Sequence, residues 1–189
     1  MSEQTKEQVK TFIRVHYSLI DKYGLNDGVV LSFLLSSKAR KGAYISKVLN
    51  ITEASICNKL KYYKSLGLID DKNIPTQILK DEVKGSYHLM LFDELVKEHK
   101  ILKAFIISYL ISTMMAKDPS HKTKLRSYQN IAKVSNTSLR QIKRISDELV
   151  TAQILALVEN KEPSIKQSKI LAMPLKVANK YNPKLKQGK

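Results

Sequence analysis

ISKVLNITEASICNKLKYYKSLGLI, residues 45–69, divides into a short apolar stripe, a break and a longer amphipathic run. Ile45, Val48 and Leu49 form the stripe. Asn50-Ile51-Thr52 interrupts it, and Thr52 is placed to cap a second helix, its hydroxyl accepting from an orphan backbone N–H. Ile56, Leu60 and Tyr63 then return at helical spacing and define a core-facing side. Gly67 follows the last apolar position, where a left-handed residue closes a helix at little cost. Leu68-Ile69 can open a strand. The spacing predicts a short helix, a tight turn, a second helix and a strand, the order of a helix-turn-helix unit.

Ile131 to Leu155, IAKVSNTSLRQIKRISDELVTAQIL, aligns with that stretch without gaps, 86 positions later. Ile45 falls on Ile131, Val48 on Val134, Asn50 on Asn136, Ile56 on Ile142, Tyr63 on Leu149, and Leu68-Ile69 on Ile154-Leu155. Upstream, VVLSFLLS (29–36) pairs with FIISYLIS (105–112) at an offset of 76, which places a ten-residue insertion between the two matched segments of the second copy. Self-similarity on this scale means a duplicated unit. The 189 residues then divide into two small domains, 11–92 and 93–175, followed by a basic tail, 176–189. Each domain is expected to fold around its own small apolar centre. The fold class expected is mainly α with small β wings (α+β), as two tandem winged helix-turn-helix domains. The second helix of such a unit lies in a DNA major groove.

A hydrophobic content of 43% excludes general disorder. The formal charge is +16 and is uneven: residues 1–92 hold 14 Lys and Arg against 9 Asp and Glu, residues 93–189 hold 19 against 8. Such an excess suggests a polyanionic partner, set against the plain alternative of a lysine-rich soluble surface. Cys57 is the one cysteine, so no intrachain disulfide can form. MSEQTKEQVK has no signal-peptide character. The longest apolar run, Ile101 to Met115, is broken by Lys103 and by Ser and Thr residues and falls short of a membrane span. The expectation is a cytoplasmic protein with no membrane partner.

Along the chain, Thr11 to Val15 alternates and predicts a strand, followed by a helix over 16–22 and a turn at Gly24. Asn26 or Asp27 is expected to cap the next helix, which runs to about Ala39 with Val29, Val30, Phe33 and Leu34 on its apolar face. Residues 38–42 make a basic loop. After Ile69, residues 70–85 read as loop and Ser86 to Phe92 as the return strand of a long wing. Asp93 is placed to cap one helix continuing to Met115, with a loop over 116–125. Ser138-Leu139-Arg140-Gln141 fits a capping box. The second wing spans 155–173, with Glu162-Pro163-Ser164 at its tip. Residues 176–189 carry five lysines and no acid and read as a flexible basic tail.

For groove reading, the relevant face is the one opposite the core. In the second unit Arg140 and Arg144 lie nearly opposite Ile142, Ile145 and Leu149, with Gln141 and Lys143 flanking them and Ser138 at the helix start. Arg can bridge two guanine acceptors and Gln can pair with adenine. The plain reading is a pair of solvated charges at i, i+4; their place at the start of a recognition helix favours base contact. Asp147 and Glu148 would repel phosphate, so only the first two turns are expected to enter the groove. In the first unit the corresponding face is Ala54, Asn58 and Lys61, flanked by Ser55 and Tyr62, and it is less basic. Tyr62 either stacks on a sugar or phosphate or covers the rim of the core. Lys80 and Lys84 in the first wing, with Lys161, Lys166 and Lys169 in the second, are candidates for phosphate contacts, which position a protein without specifying sequence.

Catalysis finds little support. His16, His88, His99 and His121 are scattered without metal-ligand spacing, and no Gly-rich phosphate loop occurs. Tyr62-Tyr63 lacks the His-x-His pair that would accompany a nicking nucleophile. Asp70-Asp71 and Asp81-Glu82 fit a solvated wing better than a cation site. Cys57, beside core Ile56, fits a small, partly buried side chain better than a redox sensor. The expectation is a non-enzymatic protein without cofactor or metal.

FIRVHYSLIDKYGLNDGVVLSFLL (12–35), followed by YISKVLNITEASICNKLKYYKSLGLI (44–69), resembles the winged helix-turn-helix module of plasmid and phage DNA-binding proteins from low-GC bacteria, replication initiators and phage replisome organisers among them. Two tandem modules in one chain are also similar to plasmid replication initiators. The resemblance covers residues 11–92 and, more weakly, 93–175. It implies double-stranded DNA as the partner. Three functions stay open: a sequence-specific transcriptional regulator of a plasmid or phage, an initiator that binds origin repeats and recruits host replication proteins, and an adaptor that uses one winged helix for a protein partner. Two recognition helices in one chain would span adjacent major grooves about one helical turn apart, and a homodimer would double the number of subsites.

Overall fold

A computed structural model of the chain describes residues 12–38, 40–115, 126–158 and 170–181. In order, these form β1 (Phe12–His16), α1 (Tyr17–Tyr23), α2 (Leu25–Ser36), α3 (Gly42–Leu49), α4 (Glu53–Ser65), α5 (Gln77–Glu82), β2 (His88–Phe92), α6 (Asp93–Glu98) and α7 (Ile101–Met115). There follow β3 (Arg126–Ser127), α8 (Tyr128–Val134), α9 (Leu139–Thr151), β4 (Ala156–Val158), β5 (Ile170–Ala172) and α10 (Leu175–Tyr181). The fold is mainly helical with two small antiparallel sheets, the α+β class.

Two of the helices lack an exposed polar face along most of their length. α2 buries every residue from Gly28 to Leu34. α7 buries Ile101, Leu102, Ala104 to Ser108, Leu110 and Ile111. A helix that is apolar all round has to be enclosed by other elements. These are the segments matched at the offset of 76, and they pack on each other. α1 crosses α2 so closely that a Cβ at Gly28 would lie 2.9 Å from the backbone nitrogen of Ile20, so only hydrogen fits there. α7 also packs on β2, α6 and α9. Buried side chains from Ile13 to Tyr181 therefore form one continuous cluster. This corrects the expectation of two separate apolar centres: each copy supplies an all-apolar helix whose cover comes partly from the other copy.

The first sheet also departs from expectation. β1 and β2 pair antiparallel, Phe12 opposite Phe92 and His16 opposite His88. The strand ending at Phe92 thus returns to the lead of the chain and not to Leu68-Ile69. Ile69 instead bridges Pro75 across a tight turn, in which the Asp70 carboxylate accepts from the backbone N–H groups of Lys72 and Ile74. The expected long first wing is not formed: Leu68-Ile69 leads only to this turn, and residues 77–82, expected as loop, form α5 with Leu79 fully buried. In the second half β5 lies between β3 and β4, antiparallel to both. The expected loop over 116–125 and the wing tip at 162–164 lie outside the described residues.

Three boundaries move for local reasons. α2 begins at Leu25 with Gly24 as its N-cap and ends at Ser36, so Asn26 and Asp27 sit in its first turn. The helix expected from Asp93 to Met115 is two helices, broken after Glu98 where His99 is extended (φ −134°, ψ 161°); Phe92 is the N-cap of the first. Residues 176–181, expected as part of a tail, belong to α10. Its Ala178 and Tyr181 are buried, and the Tyr181 hydroxyl donates to Glu98 at 2.6 Å. Residues 182–189 lie outside the described residues. Among the described residues no helix is long and apolar enough to cross a membrane.

Candidate nucleic-acid interface

The α3–α4 and α8–α9 segments repeat the same backbone at the same register. α3 turns into α4 through Asn50, left-handed at φ 51°, with Ile51 N–H donating to Ser46 O at 3.2 Å. α8 turns into α9 through Asn136, left-handed at φ 46°, with Thr137 N–H donating to Ala132 O at 3.0 Å. α4 and α9 each run 13 residues. Both end in the same closing motif: Leu68 N–H donates to Tyr63 O at 3.0 Å past left-handed Gly67, and Ile154 N–H to Leu149 O at 2.9 Å past left-handed Gln153. The N-termini differ. Ser138 accepts from Gln141 N–H at 3.3 Å, as its spacing predicts, whereas Thr52 is an N-cap without a side-chain bond.

Ile56, Leu60 and Tyr63 of α4 and Ile142, Ile145, Ser146 and Leu149 of α9 face the core. On the opposite side Ala54, Asn58, Lys61 and Tyr62 are exposed and Ser55 is half-buried. Ser138, Arg140, Gln141, Lys143 and Arg144 are all exposed. Each set of expected contact residues is therefore brought together on one accessible helix surface. Tyr62 is 53% exposed, its ring tilted against Tyr63 at 6.1 Å between centroids. Cys57, expected to be partly buried, is exposed on the same helix, because its step from Ile56 turns it away from the core.

The surrounding charges are arranged differently in the two halves. At α4, Asp27 takes Lys59 at 2.7 Å and the Tyr63 hydroxyl at 2.5 Å, so Lys59 is spent inside the protein. Burial first, and then this bond, raises the Tyr63 phenol above its ordinary value. Asp27, Ser55, Asn58, Lys59 and Tyr62 line an open groove of about 560 Å³ beside the helix. At α9, Lys103 of α7 pairs with Glu148 at 2.8 Å and Arg144 stands 3.6 Å from the same carboxylate. Lys103 first, then Arg144, holds the Glu148 carboxyl below its usual range. Asp147 accepts from the Tyr128 hydroxyl at 3.4 Å. The acidic pair toward the C-terminal end of α9 is thus answered by cations and a hydroxyl, and Arg140 and Lys143 remain exposed ahead of it.

Lys80 and Lys84 are exposed, but on α5 and the turn after it, not on a wing. Ile78 of α5 lies 3.6 Å from where a Cβ on Gly67 would stand, which puts α5 at the C-terminal end of α4, away from Ala54 and Asn58. Lys161, Lys166 and Lys169 lie outside the described residues. Glu82 holds Lys22 at 2.6 Å and the Tyr23 hydroxyl at 2.9 Å, and Asp81 accepts from Gln77, so this acidic pair is structural. Among the described residues no three His, Cys, Asp or Glu side chains gather as a metal site would. Sequence reasoning missed Asp27 and Lys103 as partners of the two helices. Their partners lie 32 and 45 positions away, and no short-range pattern marks such pairs. No family model, curated protein or solved structure matches the chain.

Proposed function

We propose that the chain is a sequence-specific double-stranded DNA-binding protein that regulates transcription from plasmid or phage DNA. In this reading α3–α4 and α8–α9 are two helix-turn-helix units, the second of them winged, with α4 and α9 as the helices that enter the major groove. The observation that carries it is α9: a capped helix whose exposed first two turns hold Arg140, Gln141, Lys143 and Arg144. The elements around α9 support the same reading, since the order α7, β3, α8, α9, β4, β5 with β5 between the other two strands is that of a winged helix. The formal charge of +16 would add attraction that is independent of sequence and steeply dependent on salt.

Footprinting with the full chain tests the proposal. The expected result is protection of two major-groove segments about one helical turn apart, at a site overlapping a promoter. Binding to no duplex at low salt overturns the reading. A site made of repeats beside an AT-rich region would move the function to replication initiation.

The weakly basic outward face of α4 favours one second reading, an adaptor whose first unit takes a protein. Under the DNA reading, the Ala54→Glu, Lys61→Glu double variant loses affinity for duplex; undiminished affinity would favour the adaptor.

A further inference from the structure

The two outward helix faces are superimposable in register and unlike in chemistry. The left-handed turns at Asn50 and Asn136 and the closing motifs at Gly67 and Gln153 all match at the offset of 86. That register places Ala54 on Arg140 and Asn58 on Arg144. Arg140 and Arg144 carry planar forks suited to the two acceptors on the major-groove edge of guanine. Neither Ala54 nor Asn58 can make that contact. Asn58 carries one donor and one acceptor in the arrangement that matches adenine, and the Ala54 methyl suits the thymine methyl. Lys61 is the exposed cation on this face, but it stands at the register of Asp147, beyond the first two turns, and Lys59 beside Asn58 is held by Asp27, so neither takes the place of the missing arginines.

We infer that the chain reads two unlike half-sites, a guanine-bearing one under α9 through Arg140, with Arg144 beside it shared with Glu148 at 3.6 Å, and an A·T one under α4 through Asn58 and Ala54. The inference rests on the reading of both helices as groove-entering elements. It has a directional consequence. Two equal helices related by a two-fold axis would bind a palindrome in either orientation, whereas two unlike helices fix the chain on its site in one orientation whatever axis relates them. The bound site would then be asymmetric although the fold is duplicated.

Selection of bound fragments from random duplex DNA tests this, run with the full-length wild-type chain, Asn58→Ala and Arg140→Ala. Both side chains are exposed, so neither substitution removes a core contact. The wild type is expected to select a bipartite site with guanine fixed in one half and adenine in the other. Asn58→Ala is expected to lose the adenine preference, weaken binding to the selected site by about tenfold and leave the guanine half unchanged. Arg140→Ala is expected to do the converse. Two identical half-sites, or an Asn58→Ala variant with unchanged base preferences, overturn the inference and leave DNA binding standing. Failure of the wild type to bind any duplex overturns both.

Discussion

Asn50 and Asn136 adopt the same left-handed conformation, φ 51° and 46°, in turns 86 residues apart, yet their side chains do different things. Asn136 Nδ2 donates to the backbone oxygens of Ile20 and Asp21, each at 3.2 Å, while Asn50 is exposed and makes no side-chain bond among the described residues. The turn between α8 and α9 is thereby latched to α1, an element of the first half. One copy of the repeat has kept a turn residue for its backbone alone; the other uses it to fix the two halves to each other.

Replacing each asparagine by glycine separates the two contributions, because glycine tolerates the left-handed backbone and removes only the side chain. Asn50→Gly is expected to change stability by less than about 0.5 kcal/mol. Asn136→Gly is expected to cost about 1 kcal/mol, the net value of its hydrogen bonds. Urea unfolding of the two variants gives the comparison, and equal midpoints would mean that the latch contributes nothing.

Gly67 and Gln153 close α4 and α9 in the same way, at φ 69° and 57°. A side chain in that region costs roughly 1 kcal/mol. Gly67→Ala should therefore destabilise by about that amount and Gln153→Gly should stabilise by a similar amount or somewhat less. Thermal unfolding reads both; a Gln153→Gly variant that melts below the wild type would refute the backbone argument.

The continuous core predicts cooperative unfolding of the two halves together. Phe105 is fully buried in α7, a helix that packs on α2 and β2 of the first half and on α9 of the second. Phe105→Ala is expected to cost about 3–5 kcal/mol and to shift a single transition. Far-ultraviolet circular dichroism and tyrosine fluorescence should trace the same curve. Two resolved transitions, with only one moved by the substitution, would restore the picture of independent domains.

His16 stands opposite His88 with ring centroids 5.9 Å apart. Burial, then the His88 and Arg14 charges, lowers its pKa from the ordinary histidine value. As pH falls below about 6.5 the unfolded chain takes up a proton that the folded chain refuses. The unfolded state then binds more protons, so stability present above that pH is lost on acidification toward the lowered folded value. His16→Gln should flatten the stability profile between about pH 7 and pH 5 relative to wild type. Parallel profiles would show that His16 does not contribute.

For the proposed DNA contact, Arg140→Ala should cost about 1–3 kcal/mol of affinity on the preferred sequence and relax the preference there, with little change in the salt slope. Competition binding against scrambled duplex at several salt concentrations measures both. An equal loss on every sequence, with a slope reduced by about one, would make Arg140 a phosphate contact instead.

The repeat, its register and most of the helices were legible in the residues themselves. α8, α9, the Ser138 cap and the Gly67 closure rest on spacing and cap chemistry within one or two turns, and a backbone segment senses those without help from the rest of the chain. The expected contact faces of α4 and α9 were legible for the same reason, since helical periodicity alone sets which residues oppose the core.

What covers each apolar surface was decided only in three dimensions. Ser86 to Phe92 reads as a β-type run, but nothing local says that its partner is Phe12–His16 and not Leu68-Ile69. VVLSFLLS and FIISYLIS announce buried helices without announcing that they bury each other, and that contact merges two expected centres into one. Tyr181 looked like part of a basic tail until Glu98, 83 positions away, supplied its hydrogen bond. Helix periods and caps are short-range quantities, whereas burial is settled by whichever distant surface fits.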